Sequence, residues 1–339
     1  MSSRDIIVIG ASCGGVEALS KIVSYFQKDF KAKIFIVQHI PKGLSVLDQI
    51  LSGKGALQAL HPEDGETMRP GVIYIAPPNR HLLINENHLR VIHGPRENRM
   101  RPSIDVLFRS AAGYCTTRVI AVLLTGYLDD GVSGLAAVKR CGGIAIVQDP
   151  AEAEAPEMPQ TAISKVKIDH VLPLEGIAKK IIALSGESAG APSDVPEDIM
   201  TDIRNSEYNI PDLDEMEKLG RRTPFTCPEC GGVMWKRDNE PIARYVCHTG
   251  HSFTEKSLLE GQSKVIEYSL WKAIRHLEER VKILRTMAEG DREKGKSESA
   301  KGFGIKADDL KYHADIIRDF IMSGKLTSLG EGKVAESVR

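Results

Sequence analysis

Along the first 184 residues, short β-branched and apolar runs alternate with stretches in which apolar side chains recur every three to four positions. The runs at 6–9, 34–38, 72–76, 82–84, 89–92, 119–124 and 144–147 predict strands. The stretches at 16–26, 45–51, 104–112, 131–140 and 174–184 predict helices. Alternation of this kind predicts an α/β fold, a doubly wound and mostly parallel sheet with helices on both faces, in a first domain over residues 1–184.

The pattern then changes. Residues 185–221 give up apolar periodicity for Ser, Ala, Pro and acidic residues, as in GESAGAPSDVPEDIMTD and PDLDEMEK, which predicts a solvated acidic linker. Residues 222–256 are rich in cysteine and glycine, and residues 257–325 regain a helical period. There Leu270, Ile274, Leu277, Val281, Leu284 and Ala288 alternate steps of four and three; Leu310, Ala314, Ile317 and Ile321 follow suit beyond the separator GDREKGKSESAKGFG. This is the spacing of a coiled-coil seam, and it predicts an antiparallel helical hairpin. The seam suits internal packing and self-association equally. Residues 326–339 read as a flexible tail.

Charge and composition narrow the partners. A net charge of -1 over 339 residues gives no overall footprint for nucleic acid or an anionic membrane. Lys236 and Arg237 beside Trp235 make only a small basic aromatic cluster, so nucleic acid is not an expected partner. No apolar segment approaches the roughly 20 residues of a membrane span, and the run ending at Ala11 is too short for a signal-peptide core. A cytoplasmic protein without membrane insertion is expected. Of the six cysteines, Cys13, Cys115 and Cys141 are scattered while Cys227, Cys230 and Cys247 cluster, a poor disulfide framework and a fair metal site.

The candidate chemistry begins in DIIVIGASCGGVEAL, residues 5–19, which reads strand, tight turn, helix. A dinucleotide loop wants glycine where Ser12 stands, whereas Gly10-Ala11-Ser12-Cys13-Gly14 satisfies G-x-S-x-G, in which small neighbours let a turn push the serine hydroxyl out above the strand ends. A nucleophilic serine needs a base, and His39 closes the next predicted strand; parallel strands bring these ends to one edge. Asp129 and Asp130 follow another predicted strand just ahead of a helix, so one can orient His39 while the other caps the helix.

Three motifs now resemble those of the CheB family, the protein-glutamate methylesterases and glutamine deamidases of bacterial chemotaxis. They are Gly10-Ala11-Ser12-x-Gly14-Gly15, Gln38-His39-x-Pro41 and Leu124-Thr125-Gly126-x-x-x-Asp130-Gly131. PGVIYIAPPNRHLLI, RPSIDVLFRSAA and QDPAEAEAPEMPQTAI also resemble connecting segments of that catalytic domain, and the likeness covers nearly all of 5–184. The resemblance implies Ser12 as nucleophile, His39 as general base and acid, Asp130 as the acid that orients it, and backbone N–H groups near Cys13 and Tyr127 as oxyanion donors. It implies hydrolysis of glutamate methyl esters, and of glutamine amides, on chemoreceptor-type coiled-coil proteins, with other chemosensory proteins as partners and no cofactor for catalysis. Two departures stand out: Cys13 replaces the family's usual threonine, and the third motif reads Gly126-Tyr127-Leu128-Asp129-Asp130-Gly131. The likeness begins at residue 5, leaving no room upstream for the family's receiver domain, so the expectation is either constitutive activity or control and targeting from the C-terminal unit or a separate protein. The rival reading is a non-catalytic adaptor that docks through that unit; an intact Ser12, His39 and Asp130 speak against it.

FTCPECGG and RYVCHTGHSF supply the metal set. Cys227, Cys230, Cys247 and a histidine have the composition of a closed, structural zinc site in a ribbon-like module. Both His248 and His251 are in reach by sequence; Gly250 lets the backbone turn back just before His251, which is therefore the expected fourth ligand.

Overall fold

The computed structural model describes residues 3–40, 43–208, 213–237 and 240–324. Pro41 of the second motif and the tail at 326–339 lie outside the described residues. The first half runs β1 (Ile6–Ala11), α1 (Gly15–Val23), β2 (Lys33–Gln38), α2 (Leu47–Lys54), β3 (Gln58–Leu60), β4 (Val72–Ile75), β5 (His81–Asn85), β6 (His88–Ile92), α3 (Ile104–Cys115), β7 (Val119–Leu123), α4 (Val132–Arg140), β8 (Ile144–Gln148), α5 (Glu157–Lys165), β9 (His170–Leu172) and α6 (Leu174–Ser185).

Seven of these strands form one sheet in the order β3-β4-β2-β1-β7-β8-β9, and every pairing in it is parallel. The run at β1 is apolar throughout because both faces are covered. Ile6 and Val8 pack with Ile104, Leu107 and Leu135 of α3 and α4, while Ile7 and Ile9 pack with Leu19, Ile22 and Ile177 of α1 and α6. The doubly wound α/β reading therefore holds for the sheet.

Two expectations need refining. The runs at 82–84 and 89–92 do not join the sheet; β5 and β6 pair antiparallel with each other, with only Glu86 and Asn87 between the last paired residues. A two-residue turn cannot supply the crossover that a parallel neighbour requires. The edge strands β3 and β9 hold three residues each, too few to show a period.

The expected acidic linker is in large part a packed helix. α7 (Glu197–Tyr208) buries Ile199 and Ile203, which join the core beside α3. A Cβ added at Gly113 of α3 would lie 2.3 Å from Ile203 Cδ1, so the glycine makes room for the helix. Asp198 accepts two hydrogen bonds from Arg140, at 2.7 and 2.8 Å. The acidic residues that suggested a tether are one face of an amphipathic helix whose other face carries Ile199 and Ile203 four residues apart. After α8 (Leu213–Leu219), a four-stranded antiparallel sheet follows: β10 (Gly220–Thr226), β11 (Val233–Arg237), β12 (Arg244–Cys247) and β13 (Ser252–Thr254). It belongs to the same compact unit as the large sheet, Met1–Leu258, so neither residue 184 nor residue 221 ends a compact body.

The second unit, from Leu259, contains the rest of α9 (Glu255–Glu293) and α10 (Ser297–Met322). The helices run into the expected separator from both sides and leave a turn of only residues 294–296. Arg318 pairs with Glu278, and Arg285 with Asp308 at 3.5 Å, which sets the helices antiparallel. Ile274, Val281 and Ala288 on one helix and Ala300, Ala307 and Ala314 on the other are buried at seven-residue intervals. The remaining expected seam residues are half-buried, so the stripe is used within the chain. No helix among the described residues is long and apolar enough to cross a membrane.

If α7 is integral to the first unit, Ile203→Ala opens a cavity against α3 and lowers the unfolding free energy by about 2–4 kcal/mol. Urea denaturation of the variant beside wild type checks this; an unchanged midpoint would return the segment to the status of a tether.

Candidate active site

Ser12 sits on the first residue beyond β1, on a turn locked by its neighbours. Its N–H donates to Thr125 O at 2.9 Å, and its carbonyl accepts from Gly15 N at 2.9 Å and from Gln38 Nε2 at 2.8 Å. Gly14 takes φ +73, and a Cβ there would lie 2.7 Å from the Glu154 side chain, so glycine is required on both counts. Thr125, two residues beyond β7, braces the turn. Its hydroxyl donates to Cys13 O at 2.9 Å and accepts from Ala155 N at 2.8 Å, while its own N–H donates to Gln148 Oε1 at 2.9 Å. Gly126 allows the close approach, since a Cβ on it would sit 2.8 Å from Ser12 Cβ.

His39 leaves the end of β2, next to β1, and its ring lies between Ser12 and Asp130. Nδ1 is 3.2 Å from Ser12 Oγ and Nε2 is 2.8 Å from Asp130 Oδ2. An ionised Asp130 can only accept, which assigns the ring proton to Nε2 and leaves the Nδ1 lone pair facing the serine hydroxyl. Asp130 is buried, and burial alone pushes its carboxyl up; donors reverse the sign and bring it down to about 2. Besides His39, these donors are Ile104 N at 2.7 Å on Oδ2, and Asn98 Nδ2 at 3.0 Å and Ser103 Oγ at 2.8 Å on Oδ1. Three come from the approach to α3 and its first residue, where the helix N-terminus also favours negative charge.

Asp129 has a different task from the one expected. α4 starts at a Gly131 N-cap with no side-chain hydrogen bond, so neither acid caps it. The Asp129 carboxylate instead accepts from Thr254 Oγ1 at 2.8 Å, and burial pushes it up to about 6 against the pull of that bond. The Cys13 thiol points at Glu154 Oε1, 3.7 Å away, and not at His39. Among the described residues no acceptor takes the amide hydrogens of Cys13 or Tyr127, whereas the amides of Ser12, Gly126 and Leu128 are all engaged. The two expected oxyanion donors are thus free.

In the small sheet, the ligand atoms of Cys227, Cys230, Cys247 and His251 all lie within 4.8 Å of one another. Each half is a tight turn, with Gly231 N donating to Cys227 O and Gly250 N to Cys247 O, both at 2.8 Å. Cys230 and Cys247 are 3.7 Å apart at sulfur; a tetrahedral ion about 2.3 Å from each sulfur spaces them about 3.8 Å. The donor set therefore fits zinc. His248 is exposed, its ring lies over Gly232, and it is not one of the four residues whose ligand atoms come together. The residues that sequence reasoning did not single out are Asn98, Ser103 and Gln148, which hold Asp130 and Thr125.

A serine hydroxyl, an imidazole and a buried carboxylate in hydrogen-bonded series at the carboxyl edge of a parallel sheet define the class: an α/β hydrolase centre of the serine type. The comparisons make the class specific. The family model described as CheB methylesterase matches residues 7–181, so the chain belongs to the CheB methylesterase family. A relative from Leptospira interrogans, named for protein-glutamate methylesterase and protein-glutamine glutaminase activities, is 41% identical over 182 residues, covering 53% of this chain and 94% of its own. One of the same name from Geobacter metallireducens is 37% identical over 190 residues, covering 55% of this chain and 53% of its own. The crystal structure of the Thermotoga maritima CheB methylesterase catalytic domain superposes with a TM-score of 0.52 at 35% identity, over 54% of this chain and 100% of that one. The chain is thus a hydrolase of this kind.

The raised carboxyl of Asp129 has a signed consequence. Below its ordinary value of 3.8 the group is protonated in both folded and unfolded chains; as pH rises toward about 6 only the unfolded chain ionises freely, and stability falls. Asp129→Asn keeps an oxygen for Thr254 and removes this cost. Its stability relative to wild type should rise between pH 4 and 6 and then level off, by on the order of 2 kcal/mol. Urea titrations across that range check it; a difference independent of pH would refute the buried-acid account.

Proposed function

We propose that this chain hydrolyses the methyl esters of glutamate side chains on chemoreceptor-type helical proteins, with Ser12 as nucleophile, His39 as general base and acid, and Asp130 as the group that orients and charges-balances the ring. The observation that carries the reading is the single line of hydrogen bonds from Ser12 Oγ through His39 to Asp130 Oδ2. His39 Nδ1 takes the serine proton as Oγ attacks the ester carbonyl. The negative charge that forms on the carbonyl oxygen is met by the unengaged amide hydrogens of Cys13 and Tyr127. His39 returns the proton to the departing methoxide, methanol leaves, and Ser12 holds the glutamyl group as an ester. Water then attacks with its proton going to Nδ1, and the free glutamate departs as Ser12 Oγ is reprotonated. A glutamine amide follows the same course with ammonia as leaving group. The names of the relatives support both activities.

The altered residues leave this course intact, because the help expected at positions 13 and 127 comes from backbone. A thiol in place of a hydroxyl at Cys13 changes a side chain that faces Glu154, not the reacting atoms. Tyr127 carries an exposed side chain beside its unengaged amide, which suits a substrate presented on a protein surface.

We also propose that Cys227, Cys230, Cys247 and His251 hold one zinc ion. Four protein ligands leave no position for water, so the ion is structural and supplies folding energy to the small sheet, not chemistry to the ester. The apolar core around these ligands is limited to a handful of side chains, among them Met234, Tyr245, Phe253 and Leu258, which is the setting in which a metal is needed.

Two measurements test these readings. Ser12→Ala should lower methanol release from methylated receptor fragments about a thousandfold or more while leaving the circular dichroism and substrate binding unchanged; retained turnover would remove Ser12 from the mechanism. Purified wild type should contain about one zinc per chain by elemental analysis, and the Cys227→Ser, Cys230→Ser double variant almost none, with a lower melting temperature. Equal melting temperatures with and without metal would sink the structural-zinc assignment.

A further inference from the structure

The small sheet and the triad meet in one residue. Segment 96–98 pairs with Ser252, directly after His251: Asn98 N donates to Ser252 O at 2.7 Å, and Ser252 N donates to Arg96 O at 3.2 Å. The Asn98 side chain then spans the junction. Its Nδ2 donates to Asp130 Oδ1 at 3.0 Å and to Asp105 Oδ2 at 2.9 Å, and its Oδ1 accepts from Thr254 N at 3.1 Å and Ser257 Oγ at 3.2 Å. Both amide hydrogens and both carbonyl lone pairs are committed, and the residue is 5% exposed. Its backbone stands at φ +50, a conformation that asparagine tolerates better than most residues.

The four bonds are directional. Turned by half a rotation, the amide would aim its oxygen at the ionised Asp130 carboxylate and a hydrogen at the Thr254 backbone N–H, two repulsive contacts. The donor that forbids this is Thr254 N, at the end of β13 and three residues beyond His251, with Ser257 Oγ of the first turn of α9 beside it. Thr254 Oγ1 accepts from Ser257 N at 3.2 Å while Ser257 Oγ accepts from Thr254 N at 2.9 Å, so each holds the other in place. The orientation of Asn98 is therefore set from the small sheet, and Asn98 holds Asp130 Oδ1 together with Ser103.

We propose that Asn98 is a positioning residue for the hydrolysis, acting through Asp130 on His39, and that the metal-bound small sheet fixes its amide, so that full turnover depends on that sheet being folded. The inference rests on the reading of Ser12, His39 and Asp130 as the triad. It gives the C-terminal module a direct hold on the chemistry: losing the metal loosens the His251 turn, Ser252 and Thr254 follow, and Asp130 loses a donor without any change at Ser12.

The test uses the full-length protein, with Asn98→Ala and, in case that variant does not fold, Ser257→Ala, which touches neither His39 nor Asp130. Asn98→Ala should lower kcat roughly 10- to 100-fold with KM little changed, and Ser257→Ala by several-fold. Stripping zinc from wild type with a chelator should lower kcat by a similar factor, but stripping it from Asn98→Ala should cost little more, because the two act through one bond. A second readout needs no turnover: the low-field proton resonance of the His39 Nε2–H shared with Asp130 should shift or broaden in Asn98→Ala, Ser257→Ala and the zinc-free protein alike. Wild-type kcat and an unmoved resonance in both variants would overturn the proposal. So would additive losses from Asn98→Ala and chelation. Should Ser12→Ala retain activity, it is the triad reading that fails, and the resonance alone then decides whether Asn98 governs the His39–Asp130 bond.

Discussion

The ionised carboxylate of Asp130, buried beneath the sheet's carboxyl edge, is the constraint around which the site is arranged. A charge in that position is tolerable only if its lone pairs are filled. The donors that fill them come from separate parts of the chain: His39 from the end of β2, Ile104 and Ser103 from the start of α3, and Asn98 from the segment before it. None can move without stranding the charge. Asp105 sharpens the constraint, because it lies buried on the other side of the Asn98 amide and accepts from Gly134 N. Two buried carboxyls so close do not both ionise; burial and the neighbouring Asp130 hold Asp105 well above the usual carboxylate range, so the charge stays with the member that faces His39.

The parallel sheet makes this convergence possible. With β1 at its centre, β2 on one side and β7 on the other, three adjacent strands deliver Ser12, His39 and the loop carrying Asp130 to one edge. Burial of both faces fixes the register, since a slip by one residue would exchange the apolar sets of the two cores. Chemistry confined to the loops then inherits a rigid base. The chain order of serine, histidine and acid differs from that of ordinary α/β hydrolases, yet the ring still receives a hydroxyl on one nitrogen and a carboxylate on the other.

What could be read from the sequence was what is local. The turn around Ser12 follows from an apolar run meeting small residues, and each half of the cysteine–histidine cluster from a short motif with a glycine in its turn. His39 was legible as a strand end, and its neighbour at Ser12 followed from parallel geometry. Between Asp129 and Asp130 the residues alone gave no decision, because their difference is tertiary: one faces His39, the other Thr254, 125 residues away. Asn98 carried no signal at all. It lies in an irregular segment, and its partners stand 7, 32, 156 and 159 positions distant. The helix α7 was hidden for the opposite reason: its apolar spacing was present, but an acidic composition averaged over the whole segment outweighed two isoleucines.

The junction between the small sheet and the α/β body shows how such long-range placement is enforced. Around it lie Glu97 with Arg109 at 2.5 Å, Arg237 with Asp202 at 2.8 Å, Arg244 with both Asp202 and Glu240, and Ser133 with Glu240 at 2.6 Å, nearly all of them buried. Ion pairs in such surroundings contribute little net stability, because the loss of water offsets the attraction. Their effect is on alignment. Moving β12 by one residue would take Arg244 off two carboxylates and turn its side chain to the other face of the strand, leaving charges unpaired in a dry interface. An apolar interface would tolerate small rotations, and Asn98 could then meet Asp130 at any of several distances. A charged one admits a single seat. In the proposed reading metal and interface have different tasks: an ion held by the cysteine cluster stabilises the small sheet, and the ion pairs convert that stability into one fixed position of Thr254 and Ser257 over the Asn98 amide.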